Sequence, residues 1–440
     1  RFLLNPTVTE MPRTADVVII GGGPAGTAAA WAIERHSPGT KTVLIEKSER
    51  LGAGSSLASL ENFRTCWPAL CLAQQMKRSV EIFQHADDYL GEGAAQSLAI
   101  KQRGYLFCAF NEHQAAGLAA DVQRLHEIGL MHIEYMEAHE VACRFGWVGE
   151  RVIAAKYDPT AGWLDSNALI HRYASSAHSA QFILGAREVN ICVEHGRVTG
   201  VKTPFGDVAS PNVVIAAGAS SRTIGRTAGV ELPIILRPRQ SFTTGWRHNP
   251  FPEDAPMLIG FAPFPHVRPE ASEGAIFGWE YTWNSKYAGQ DHGTNHAHDA
   301  IIDPVEPVTR LKDARFPSMV LALLARQFGH QPGQGFADSR YLRGVSHNIG
   351  YYVYRDETSA YRTDADGTKH PYDSERAIID ACPEVEGLFI SVAHVGHGIM
   401  SSPAAGEILA AKVLGMPLSD PLFEQFGLNT PWVEYDEGVL

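Results

Sequence analysis

A chain of 440 residues exceeds what one simple hydrophobic core supports, so two intertwined domains are expected. With 45% hydrophobic residues, 20% charged residues and a formal net charge of −12, the composition is that of a globular protein and argues against a general nucleic-acid or anionic-membrane surface. No run of 18 apolar residues occurs, so no transmembrane segment is expected, and six cysteines without a CxxC pair fit free thiols in a reducing, cytoplasmic setting.

The first element is the apolar run Val17-Val18-Ile19-Ile20, which reads as a buried parallel strand. It enters Gly21-Gly22-Gly23-Pro24-Ala25-Gly26 and then a helix of small residues over 25–35. The pattern is GxGxxG. Gly21 permits the tight turn, Gly23 leaves room for a pyrophosphate, and Gly26 lets the helix pack close to the sheet. The helix N-terminus offers free N–H groups to the phosphates. A second strand over 41–45 ends at Glu46, 20 residues past Gly26, the spacing of a ribose-binding carboxylate.

A glycine-serine loop with Gly54, Ser55 and Ser56 follows. Apolar Leu70, Leu72, Met76, Val80 and Phe83 mark a helix over 68–90. A strand is expected over 105–110 and a helix over 111–128. Asp165 or Ser166 caps a helix over 165–180. Short strands at meander spacing follow over 186–193 and 198–203, with a turn at His195-Gly196. The apolar stretch 212–219 ends in small residues, Ala217 and Gly218 among them. An aromatic, β-rich region then runs from 232 to 283, and a helix is expected over 303–328. Near the end, a strand over 387–393 leads into His394-Val395-Gly396-His397-Gly398-Ile399-Met400 and a helix over 404–414. This second strand–glycine turn–helix lies far downstream of the first, so the dinucleotide fold is discontinuous.

These stretches together resemble the D-amino-acid oxidase/sarcosine oxidase superfamily of FAD-dependent oxidoreductases. The match rests on 17–26, on 46–64 with Gly54-Ser55-Ser56, on 213–219, and on 387–406 with Gly396-His397-Gly398. The resemblance implies an α/β protein with a discontinuous Rossmann-like FAD-binding domain (11–88, 152–229 and 344–440). It also implies a substrate domain with a large mixed or antiparallel sheet (89–151 and 230–343). Its cofactor contacts would come from Gly21, Gly23, Pro24, Ala25, Gly26, Glu46, Lys47, Gly54, Ser55, Ser56, Ala217 and Gly218. The Val189 backbone would meet adenine. Gly396, His397, Gly398, Ile399 and Met400 would present backbone N–H groups to flavin N1 and O2. A helix dipole there stabilises the charge that reduction brings.

By the same resemblance Arg64, ten residues past Gly54, would bind a substrate carboxylate through its planar two-donor fork. His397 would sit beside the flavin, and Glu280 and Tyr352 would line the substrate cavity. Two lysines that occur in sarcosine-oxidase-like members are replaced, at Met400 and near Ile276. This puts the carboxylate site and fast use of O₂ in question. No cysteine precedes Tyr351-Tyr352, so FAD is expected to be non-covalent. The histidines His292, His296 and His298 form an HxxxHxH cluster in a loop-like stretch; spacing alone cannot supply the converging ligands of a metal site, so a solvated loop is expected. The implied activity is oxidation of an amine or amino acid at a C–N bond, with hydride transfer to flavin N5 and hydrolysis of the imine. The electron acceptor would be O₂ or an electron carrier. A 2-hydroxy-acid dehydrogenase and a flavin-bound assembly protein are the alternatives on the same scaffold.

Overall fold

The computed structural model describes residues 11–67, 69–261, 263–279, 301–356, 361–363, 369–371 and 375–430. Among these residues the strands build two principal sheets. The first has six strands, in the order Ile378–Ala381, Leu388–Val392, Val213–Ile215, Val17–Ile20, Thr42–Glu46 and Ala180–Leu184. Neighbours run parallel except at the Ile378–Ala381 edge. Parallel strands covered on both faces have no use for polar alternation, which is why residues 17–20 are all apolar. Val17 and Ile19 enter a core shared with helices Pro24–His36 and Ser402–Val413. Val18 and Ile20 enter a second core roofed by the antiparallel meander Asn190–Glu194, Arg197–Thr203 and Gly206–Ala209. Small residues set the helix packing: a Cβ on Gly406 would lie 2.6 Å from the Ala28 carbonyl oxygen.

The second sheet has eight strands, in the order Ser346–Arg355, Ile234–Thr244, Gly274–Trp279, His266–Glu270, Met257–Ile259, Tyr105–Ala109, Ala154–Asp158 and Glu134–Glu137. One pair, Met257–Ile259 with Tyr105–Ala109, is parallel and the rest are antiparallel. Alternation along Tyr105–Ala109 joins two cores. Tyr105, Phe107 and Ala109 face the first sheet's helices, while Leu106 and Cys108 face a third core closed by helix Phe316–Phe328. The α/β class and the large mixed sheet are thus both present. Strands Ala154–Asp158 and Ser346–Arg355, just inside the expected boundaries at 152 and 344, pair in the large sheet.

Several elements differ from the sequence expectation. The helix expected over 68–90 is two, Leu70–Gln84 and Ala86–Leu90, with His85 between them. The helix expected over 165–180 stops at Ser176, and Ala180–Leu184 becomes an edge strand. The strand expected from 186 begins at Asn190. The apolar stretch from 212 is a strand only to Ile215 and then turns. The helix expected over 303–328 is confined to Phe316–Phe328, preceded by a short turn at Val308–Leu311. Pro304 and Pro307 explain this, since each lacks an N–H and pushes its predecessor out of helical conformation.

Candidate active site

Two glycine turns face the ground between the sheets. At the first, Gly21 has φ +121, and a Cβ there would lie 2.2 Å from the Ala216 carbonyl oxygen. This brings the 216–218 turn against the glycine loop. A Cβ on Gly26 would lie 1.9 Å from the Gly21 carbonyl oxygen, so the helix start rests directly on the turn. Gly23 and Gly54, by contrast, have open space where a Cβ would project. The N–H groups of Gly23, Ala25 and Gly26 have no hydrogen-bond partner among the described residues. Three free donors, an open cradle and a positive helix end suit a diphosphate.

Glu46 does more than the spacing suggested. Its carboxylate accepts from the Gly22 N–H at 2.6 Å and from the Ser48 N–H at 2.8 Å, pinning the glycine turn to the second strand. Each oxygen keeps a lone pair for another donor. Lys47 reaches away, to Glu306 at 2.9 Å and Ser220 at 3.3 Å, as an exposed pair. Ser55 accepts from the Tyr351 N–H at 2.9 Å, and Ser56 donates to the Gly52 carbonyl. Both hydroxyls therefore hold the loop in place. Neither N–H nor C=O of Val189 has a partner among the described residues.

The last turn is enforced from outside. A Cβ on Gly396 would meet the hydroxyl end of Tyr352 at 2.5–2.7 Å, so the tyrosine abuts the turn. Val395 donates its N–H to the Val353 carbonyl at 3.1 Å, tying the turn to the same strand. Ala393 and Val395 adopt φ +61 and +48, strained values for residues with a Cβ. The N–H groups of Gly398, Ile399 and Met400 have no partner among the described residues, whereas that of His397 donates to the His394 carbonyl. The Gly396 N–H is likewise without a partner there, so four of the five expected donors are free and only that of His397 is taken.

The His397 ring is buried, and neither nitrogen has a hydrogen-bond partner among the described residues. Burial, helped by His394 and Arg64, lowers its pKa to about 3, so it is neutral. It meets the edge of Trp67 at 4.9 Å between ring centroids. Arg64 lies over the face of the same indole at 4.0 Å. Trp67 thus joins two residues more than 300 positions apart. Its role had no signal in the sequence beyond its proximity to Arg64. Arg64 is 5% exposed and donates through Nη1 to the Cys66 carbonyl at 3.2 Å. No carboxylate hydrogen-bonds to it among the described residues.

A cavity of about 30 Å³ is lined by Ser55, Arg239, His266, Trp279 and Tyr352 among others, and not by Arg64, Trp67 or His397. His266 was also missed by sequence reasoning. Burial, with help from Arg64 and against the Phe264 carbonyl, lowers its pKa to about 4. Met400 is buried in the first core. Glu280 and the His292, His296 and His298 cluster lie outside the described residues. No group of metal-ligating side chains occurs among the described residues. No helix among them is long and apolar enough to cross a membrane.

Comparison with known proteins agrees with this geometry. The family model described as FAD dependent oxidoreductase matches residues 16–412, and the chain belongs to that family of enzymes. It is 24% identical to FAD-dependent oxidoreductase domain-containing protein 1 of Xenopus laevis, over 98% of this chain and 86% of the relative. It is 24% identical to sarcosine oxidase subunit beta of Arthrobacter sp, over 53% of this chain and 58% of the relative. The fold superposes on L-proline dehydrogenase from P.horikoshii with a TM-score of 0.70 and 22% identity, over 95% of this chain and 98% of that one. The cofactor of the family is FAD, and the free donors at both glycine turns fit it.

Proposed function

We propose that the protein oxidises a C–N bond in an amine or amino acid that carries a carboxylate, and holds FAD without a covalent link. Bound FAD supplies the two-electron acceptor. The N–H groups at the start of helix Pro24–His36 hold the diphosphate, Glu46 the ribose and the Val189 backbone the adenine. The amides of Gly398, Ile399 and Met400 hold the edge of the ring system that gains negative charge. Arg64 takes the substrate carboxylate through its unused donors, Tyr352 walls the cavity, and Met400 offers an apolar, adaptable surface. The sarcosine oxidase subunit among the relatives supports an amino-acid substrate. The Cys66 thiol beside Arg64 is pushed up to about 11 by burial, then by Asp158, and stays neutral, which disfavours a thioether.

The observation that carries the choice of C–N over C–O is the likeness to sarcosine oxidase subunit beta, 24% identical over 53% of this chain. Arg64, with donors left over for a carboxylate, suits an amino acid and a 2-hydroxy acid equally, so the flavin itself must separate them.

Anaerobic mixing is the test. Amines or amino acids should bleach the flavin and 2-hydroxy acids should not; the reverse result overturns the reading. Acid precipitation should release FAD into solution, and flavin retained by the chain overturns the non-covalent assignment. Arg64→Ala should keep its FAD while bleaching weakens by orders of magnitude, since losing a buried charged partner costs about 2–5 kcal/mol in binding. Arg64→Lys should not restore it, because an ammonium lacks the planar fork.

A further inference from the structure

Arg64 is held in place by a residue far from it in sequence. Asp158 closes strand Ala154–Asp158 of the large sheet and is completely buried. One of its oxygens accepts from two consecutive backbone donors, Thr65 N–H at 3.0 Å and Cys66 N–H at 3.2 Å, and from the Thr65 hydroxyl at 3.2 Å. The other accepts from Thr160, through N–H at 2.9 Å and hydroxyl at 2.6 Å. The Thr65 hydroxyl also meets His132 Nε2 at 2.7 Å. Two successive amides converging on one anion bend the chain sharply. The bend is completed by Trp67, whose N–H donates to the Thr65 carbonyl at 2.7 Å.

The consequence is geometric. Arg64 and Trp67 flank the bend and are brought together, guanidinium over indole. A cation buried in this way would ordinarily be paired with an acid. An acid bonded to the guanidinium would occupy the very donors a substrate carboxylate needs. Here the acid grips the backbone one and two residues further on, so Nε and Nη2 carry no hydrogen bond to the described residues.

We infer that Asp158 is the positioning residue for Arg64, fixing the guanidinium on Trp67 through the Thr65 and Cys66 amides while leaving its fork open to a carboxylate. The inference rests on the carboxylate role proposed for Arg64. It goes beyond that role by naming what sets the angle and position of the fork.

The test uses the FAD-loaded protein and benzoate, a planar carboxylate with nothing to oxidise, titrated by its perturbation of the flavin spectrum. Asp158→Asn keeps the shape but loses the charge that draws both amides to one oxygen. Benzoate affinity should fall about tenfold while FAD affinity stays within about twofold, on the scale of a hydrogen bond to a charged group. A merely structural acid would weaken both together, and that result overturns the inference, as does unchanged benzoate binding. If Asp158→Asn does not fold, Thr65→Val, which removes one donor to the carboxylate, decides by the same split with a smaller effect. Arg64→Ala separates the two levels. If it binds benzoate like the parent, the carboxylate reading fails and takes the inference with it. If it weakens benzoate while Asp158→Asn and Thr65→Val do not, the reading stands and the inference alone is overturned.

Discussion

The two glycine turns look alike in sequence and are built on different grounds. In the first, glycine is demanded by the backbone itself: Gly21 has φ +121, and Gly26 abuts the Gly21 carbonyl. In the last, Gly396 has ordinary backbone angles and is demanded by the ring of Tyr352, a residue from the other sheet. The first turn is therefore set by backbone, its own at Gly26 and that of Ala216 at Gly21. The last exists only once the two sheets are assembled against each other.

The largest expected effect breaks the first turn. Gly26→Ala places a methyl group 1.9 Å from a carbonyl oxygen that has no side chain to swing away. Overpacking against backbone should cost about 3 kcal/mol or more. The variant should be recovered without flavin, read as flavin absorbance per chain, and no second substitution of a side chain should restore it.

Acid should act on the last turn, which holds two imidazoles, and not on the 17–26 turn, which has none. Burial lowers the pKa of His394 to about 4 and, with help from His394 and Arg64, that of His397 to about 3, from an ordinary 6.5. The unfolded chain then binds more protons than the folded one between these values. Stability from these imidazoles is complete above pH 6.5 and is lost as pH falls through that window. By about pH 5 the loss should be on the order of 1–2 kcal/mol per imidazole, measured by urea unfolding. A flat profile from pH 7 to 4.5 would remove both rings from the buried neutral state.

Glu46→Gln tests the first turn more gently. The amide cannot accept from both Gly22 and Ser48, and FAD affinity should fall about tenfold in titrations of the apoprotein. Unchanged affinity would place Glu46 outside the cofactor site.

The smallest effect sharpens the comparison most directly. Gly396→Ala should be destabilising, and Tyr352→Ala should relieve it by about 1 kcal/mol in a double-mutant cycle of thermal unfolding. Additive effects would show that Tyr352 is not what requires the glycine.

This difference also explains what the sequence could reveal. The 17–26 stretch and Glu46 were legible because the contacts between Gly21 and Gly26, between the first two strands, and between Glu46 and Gly22 lie within one strand–turn–helix–strand unit. The amides near 398–400 were legible from the second strand–glycine turn–helix pattern, although the turn itself is held by the other sheet. Trp67, Asp158 and His266 were not, because their partners are His397, the Thr65 and Cys66 amides, and Arg64, reached only through tertiary packing. The strand Ala180–Leu184 was hidden by the helical continuation expected before it, its burial pattern being too irregular to mark a period of two. Hydroxyls at Ser55 and Ser56 fit the pattern of a cofactor loop, yet each holds protein backbone.

The order of strands in the first sheet has a consequence for synthesis. Val17–Ile20 pairs on one side with Val213–Ile215, which in turn pairs with Leu388–Val392. A ribosome therefore releases Val17–Ile20 and its neighbour Thr42–Glu46 early, Val213–Ile215 on the other side much later, and Leu388–Val392 beyond that last of all. Until then the nascent chain carries an open parallel edge with no means of covering it, the kind of surface that chaperones bind and that aggregates when they do not. Chains halted before residue 388 should accordingly be insoluble.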